Sequence, residues 1–244
     1  TLIKSCSYKK DIAAVFKAGL VWNEKECSKI LCFLPALRES RKNIQYLTGE
    51  EVSRIREALG DRMSGLPLRD RAIGMLLMYT GLRGCDVAGM TLDSIDWKND
   101  RIHIRQQKTE EPLDLPLSAM VGNAIYDYLS SERPDSGESR LFLSLTKPFT
   151  PLDSGSIGNI TGKIMKEAKV RQSPGMRKGV HIFRHHVASA LLGNGIPQPV
   201  ISRTLGHTAP DSLEPYLRAD FIHLKECALD ISGFPIAGEV FGNG

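Results

Sequence analysis

The sequence predicts a mainly α-helical domain that carries one small antiparallel β-sheet, an α+β arrangement. Three observations lead there. A helical period opens at Thr48, where Thr48 and Glu51 form a capping box ahead of Val52, Ile55 and Leu59 on one side. The period falls to two between residues 95 and 117, and it returns to the helical value from Ser118 onward. The 244 residues suffice for one large domain, or for one domain and a fragment.

Taken in order, residues 11–20 set Ile12, Val15 and Phe16 at helical spacing, and residues 27–37 repeat the pattern until positions 38–42 turn polar. Residues 1–46 are too short for an ordinary domain and read as the end of a truncated one followed by a linker. The main unit begins at residue 47. A helix is expected over residues 68–79, broken by Gly81, and a short one over residues 85–91. Residues 95–97, 101–106 and 112–117 read as strands, with turns at 98–100 and 108–110. Within the second strand, Arg101, Ile102, His103, Ile104 and Arg105 alternate as a half-buried strand should. Helices then follow to about residue 230, interrupted by loops at 134–137, 147–155 and 171–179. Residues 231–244 form an apolar tail broken by Gly and Pro, in which Phe234 and Ile236 are expected to dock, on the chain's own domain when it is alone or on a neighbouring protomer on DNA.

Composition narrows the function classes. No apolar run approaches the length of a bilayer span, so no membrane partner is expected. The cysteines at 6, 27, 32, 85 and 227 are odd in number and never spaced C-x-x-C, which argues against a disulfide framework and a zinc site and suits a reducing, cytoplasmic setting. The net charge of +4 is modest for a nucleic-acid binder, and residues 1–46 alone carry nine Lys/Arg against four acids. The remainder is therefore one charge negative, so any nucleic-acid site in the main unit must gather its cations into one groove; the alternative is a mixed, solvated surface.

The residues suited to chemistry lie in a fixed order. Thr80-Gly81-Leu82-Arg83-Gly84-Cys85-Asp86 sets an arginine just past a helix-breaking glycine. Lys108 falls at a β-turn. His181-Ile182-Phe183-Arg184-His185-His186 opens a helix, Leu205-Gly206-His207 follows, and Tyr216 comes after that. A phosphoryl transfer to a side-chain hydroxyl needs this inventory. Fixed cations and donors hold the equatorial oxygens of the transition state, and a general acid protonates the leaving oxygen.

Each residue also has a plainer reading. Arg83 could be a surface arginine and Asp86 its i,i+3 ion-pair partner; the same spacing lets Asp86 brace the guanidinium. Lys108 could be a solvated turn lysine. His181 and His185 are spaced for a metal, with His207 as a third ligand, but no carboxylate of the H-E-x-x-H kind lies between them and Arg184 would repel a cation. His185 and His186 read better as packing or supporting residues, His207 could be a loop or capping histidine, and Tyr79 reads as core.

In this order and spacing the chain resembles the tyrosine recombinase, or phage integrase, family over roughly residues 47–225. The matching motifs are T-G-L-R-x-x-E/D, the hairpin lysine, H-x-x-R-H, L-G-H and the terminal tyrosine. Pro215 ahead of Tyr216 departs from the common pattern and implies a local break before the tyrosine. The resemblance implies the catalytic-domain fold of that family over residues 47–230. It makes residues 1–46 the last part of a core-binding helical domain plus linker, and residues 231–244 a contact between protomers. It implies catalytic roles for Arg83, Lys108, His181, Arg184, His207 and Tyr216, with Asp86 and His185 supporting. In it, Tyr216 forms a 3′-phosphotyrosyl bond to double-stranded DNA without metal, ATP or cofactor, and the protein is a monomer that becomes a homotetramer on synapsed DNA. A type IB topoisomerase-like or telomere-resolving enzyme would share these motifs. A catalytically silent DNA-binding accessory protein is the non-enzymatic alternative.

Overall fold

The computed structural model describes residues 6–33 and 46–206, which fall in two compact units divided after Asn43. In the first, α1 (Cys6–Gly19) packs against α2 (Glu24–Phe33). The turn between them closes when Trp22 and Asn23 donate their N–H groups to the Gly19 carbonyl, both at 3.0 Å. Asn23 then accepts from Glu26 N at 3.3 Å, so α2 starts three residues before its apolar pattern. Glu24 and Glu26 in its first turn suit the positive end of the helix dipole.

The second unit opens with α3 (Gly49–Gly60), whose capping box is made in both directions: Glu51 N to Thr48 Oγ1 at 3.2 Å, and Thr48 N to Glu51 Oε2 at 2.9 Å. Val52, Ile55 and Leu59 are buried as their spacing predicts. The next helix, α4 (Leu68–Thr80), is buried along almost its whole length and touches α3 as well as three later helices, α6 (Ala119–Ser131), α7 (Ser154–Glu167) and α8 (His181–Gly193). Its first turn nevertheless contains Arg69, Asp70 and Arg71. Arg69 reaches Asp70 Oδ1 at 2.6 Å and the Leu143 carbonyl at 3.0 Å, and Arg71 reaches the Leu59 and Gly60 carbonyls at the end of α3. These charges are tolerated in the core because backbone acceptors and a carboxylate meet them.

Gly81 ends α4 in the left-handed conformation at φ 63°. After α5 (Gly84–Gly89) and a 3₁₀ turn at Leu92–Ser94 come β1 (Ile95–Asp96), β2 (Arg101–Arg105) and β3 (Pro112–Pro116), antiparallel in that order. Ile102 pairs with Leu115 and Ile104 with Leu113 on the inner face, while His103 meets Asp114 outside at 2.6 Å. β2 stops one residue short of the expected end. Gln106 leaves the ladder to close the turn, accepting from Glu110 N at 2.8 Å and donating to the Glu111 carbonyl at 3.0 Å. The remaining helices are α6 (Ala119–Ser131), α7 (Ser154–Glu167), α8 (His181–Gly193) and α9 (Gln198–Leu205).

The fold is thus mainly helical with one small antiparallel sheet. No helix among the described residues is long and apolar enough to cross a membrane. The linker, His207, Pro215, Tyr216 and the tail with Phe234 and Ile236 lie outside the described residues.

Tyr128 joins α6 to the segment ahead of α7. Fully buried, it stacks on Phe142 at 5.7 Å and accepts from Leu143 N at 3.2 Å. Tyr128→Phe withdraws that acceptor while keeping the ring, and the expected cost is ~1–3 kcal/mol of unfolding free energy in a urea titration.

Candidate active site

The site is assembled where three chain reversals meet. The left-handed Gly81 turns the chain so that Arg83 becomes the residue capping α5. A Cβ at Gly81 would press on Leu205 and Val187, so the turn sits directly against α8 and α9. Arg184, one turn into α8 and 5% exposed, donates from Nη1 to the Gly81 carbonyl at 3.0 Å and from Nη2 to the Leu205 carbonyl at 2.6 Å. Arg83 donates from Nη2 to the Gly206 carbonyl at 3.0 Å. Both guanidiniums therefore converge on the end of α9, where Gly206 is left-handed at φ 63° and the chain continues toward His207.

Asp86 is buried one turn after Arg83. Its Oδ2 lies 3.8 Å from Arg83 Nη1, an ion-pair distance longer than a hydrogen bond. Its Oδ1 accepts from Gln107 N at 2.9 Å, so the same carboxylate also holds the β2–β3 hairpin. Cys85 Sγ stands 3.7 Å from that oxygen; burial first, then the Asp86 charge, raises its pKa and keeps the thiol protonated. Lys108 occupies the exposed turn of this hairpin.

His181 is the first residue of α8. Desolvation, then the charges of Arg184, Arg177, Arg83 and Lys108, hold its pKa below the ordinary imidazole value. Those cations come from α8, the loop before it, the turn ahead of α5 and the β2–β3 hairpin. His185 stands one turn on, its ring centroid 6.4 Å from that of His181. Burial, followed by His181, Arg177 and Arg184, pushes its pKa down to about 4. Burial, followed by the charge of Arg56, lowers the pKa of His186. Among the described residues no three His, Cys, Asp or Glu side chains gather as a metal site.

The structure therefore brings together Arg83, Asp86, Lys108, His181, Arg184 and His185, while His207 and Tyr216 lie outside the described residues. Sequence reasoning missed Gln106, Arg177 and the Leu205 and Gly206 carbonyls. Backbone acceptors carry no residue-type signal, and Arg177 sits in an irregular loop where a lysine or arginine is unremarkable.

Residues 45–223 match the sequence profile of the phage integrase family. The chain belongs to that family. Among its relatives, y4gC of Sinorhizobium fredii, named as an integrase/recombinase, is 36% identical over 170 residues, covering 70% of this chain and 86% of that protein. The tyrosine recombinase XerC of Listeria welshimeri is 27% identical over 190 residues, covering 74% of this chain and 60% of its own. A further S. fredii relative, y4rA, is matched over only 44% of its length, so this phage integrase chain spans less than half of it. The crystal structure of the XerA recombinase superposes with a TM-score of 0.64 at 20% identity, covering 94% of this chain and 84% of that one. XerH bound to its palindromic difH substrate gives 0.67 at 20% identity, covering 81% and 56%. At these identities the likeness is one of fold, and the fold is that of tyrosine recombinase catalytic domains.

The depressed pKa of His185 has a stability consequence. Above its unfolded value near ~6.5 it is neutral in both states. As pH falls from there toward about 4, the unfolded chain takes up the proton first, so stability drops through that window. His185→Gln should narrow the difference in melting temperature between pH 7 and pH 4.5, measured by circular dichroism. An unchanged difference would mean that protonation of His185 is not what weakens the fold in acid.

Proposed function

We propose that this phage integrase family member is a site-specific recombinase that cleaves and rejoins double-stranded DNA through a 3′-phosphotyrosyl intermediate. The observation that carries the reading is the convergence of Arg83 and Arg184 on the Gly81, Leu205 and Gly206 carbonyls. These carbonyls fix the direction of both guanidiniums, so an incoming phosphate would meet preorganised donors rather than having to order them.

In this mechanism Tyr216 Oη attacks the scissile phosphorus. The P–O5′ bond breaks, with its electron pair going to the 5′-oxygen, which takes a proton from Lys108. His181, kept neutral by its lowered pKa, accepts the tyrosine proton. Arg83, Arg184 and His207 hold the non-bridging oxygens; Asp86 and His185 support the arginine and histidine beside them. A 5′-hydroxyl from a second duplex reverses the step and exchanges strands. The ester conserves the bond energy, so the chemistry calls for neither ATP nor a metal.

The names of the relatives favour recombination over a topoisomerase or telomere-resolving role. The presence of all six catalytic candidates favours an enzyme over a silent accessory protein. The XerH structure carries its difH substrate, which supports DNA as the partner here. We further assign residues 1–46 to a core-binding unit and linker, and residues 47–230 to the catalytic domain. The protein would be cytoplasmic, monomeric off DNA and tetrameric on synapsed DNA, with residues 231–244 passed between protomers.

The test uses a pool of nicked duplexes with randomised cores, from which sequences that form an SDS-resistant adduct with the chain are selected. A duplex should be recovered, and it should still react in excess EDTA. Tyr216→Phe should abolish the adduct with little change in DNA affinity, and Arg83→Ala and Arg184→Ala should each slow its formation by ~10²-fold. A persistent adduct in the phenylalanine variant, or failure to recover any duplex, would sink the reading. Deleting residues 231–244 should weaken assembly on the selected duplex more than it lowers the melting temperature; equal assembly would remove the tail's role.

A further inference from the structure

Lys108 is exposed on its hairpin turn, yet a proton donor must be held within hydrogen-bond reach of one leaving oxygen. Something must therefore fix the turn. Gln106 is a polar residue only 1% exposed, and its amide works in two directions. Its Oε1 accepts from Thr109 Oγ1 at 2.7 Å, which ties the turn on the far side of Lys108. Its Nε2 donates to the Leu205 carbonyl at 3.4 Å, the same oxygen that Arg184 Nη2 holds at 2.6 Å. The amide lies so close to Gly206 that a Cβ there would overlap it, so the glycine leaves the room that the glutamine fills. The next residue, Gln107, donates its N–H to Asp86, the carboxylate beside Arg83. The two residues ahead of Lys108 are thus each bound to the partner of one arginine.

We infer that Gln106 is a positioning residue: it locks the Lys108 turn to the Arg184–Leu205 contact and so fixes the proton donor relative to the phosphate clamp. This rests on the proposed reading of Lys108 as the acid for the leaving oxygen. If Gln106 acts through that proton, its loss matters only when the leaving atom needs one. A 5′-bridging sulfur leaves as a thiolate and needs no protonation at neutral pH.

The experiment measures single-turnover adduct formation by the full chain on the selected duplex, with oxygen or sulfur at the 5′-bridging position. Gln106→Leu keeps the volume and removes both hydrogen bonds. It should slow cleavage of the oxygen substrate roughly 10- to 100-fold, the scale of a small misplacement of a catalytic group, and cleave the sulfur substrate at close to the parental rate. Lys108→Ala should show the same selective loss, more deeply. Equal slowing of Gln106→Leu on both substrates, or a parental rate on oxygen, overturns the inference. If sulfur fails to restore Lys108→Ala, the acid assignment itself falls and the role of Gln106 falls with it. Should Gln106→Leu melt below the assay temperature, Thr109→Val carries the test. It deletes only the hydroxyl that holds Gln106 Oε1, at a half-buried site, and is expected to give a smaller loss confined to the oxygen substrate. A Thr109→Val chain as fast as the parent on oxygen then counts against the inference.

Discussion

The arrangement depends on a buried guanidinium satisfied by backbone. Arg184 holds the Gly81 carbonyl with one nitrogen and the Leu205 carbonyl with another, and so closes the end of α4 onto the end of α9. Burying a charge costs several kcal/mol unless its donors are met. Here the Gly81 and Leu205 carbonyls meet two of its nitrogens. Arg83 repeats the device at Gly206 and adds Asp86 at a longer distance, so its charge is braced and only partly compensated. The same arginines that bind an anion in the proposed reaction therefore build the turn that leads to His207.

This device reconciles the chain's electrostatics. A unit that is slightly acidic by formal count can still present a cationic site when its basic groups are collected from α5, the hairpin, the loop before α8 and α8 itself. The lowered pKa of His181 registers that collection, since Arg184, Arg177, Arg83 and Lys108 all contribute to it. The imidazole is thereby held neutral and able to accept a proton, while the cations around it oppose the charge that would result.

Local chemistry was legible in the sequence wherever one residue type dictates one conformation. Thr48 and Glu51 announced the start of α3, Gly81 the end of α4, and the alternation around Ile102 the central strand. Asn23 was passed over because its capping role competes with the loop residues around it, and α2 consequently begins earlier than its apolar spacing suggests. Arg69, Asp70 and Arg71 look like a solvated run, yet they are buried because Leu59, Gly60 and Leu143 offer carbonyls from distant segments. Gln106 was illegible for the same reason. Its role is defined by Leu205 and Gly206, about a hundred positions away, and nothing in Gln-Gln-Lys-Thr points to them. Arginine and lysine candidates were found because their motifs are local, whereas the groups that hold them in place are not.

The separations in this network bear on synthesis of the chain. The bonds that make the site join residues 103, 123 and 99 positions apart: Arg184 to Gly81, Arg83 to Gly206 and Gln106 to Leu205. Contacts of such span close late relative to helices and hairpins, because loop entropy must be overcome first. On the ribosome, Arg83 and the Lys108 hairpin emerge well before α8 and α9 exist. The growing polypeptide thus carries Arg83 and the Lys108 hairpin with nothing to aim them until α8 and α9 have followed.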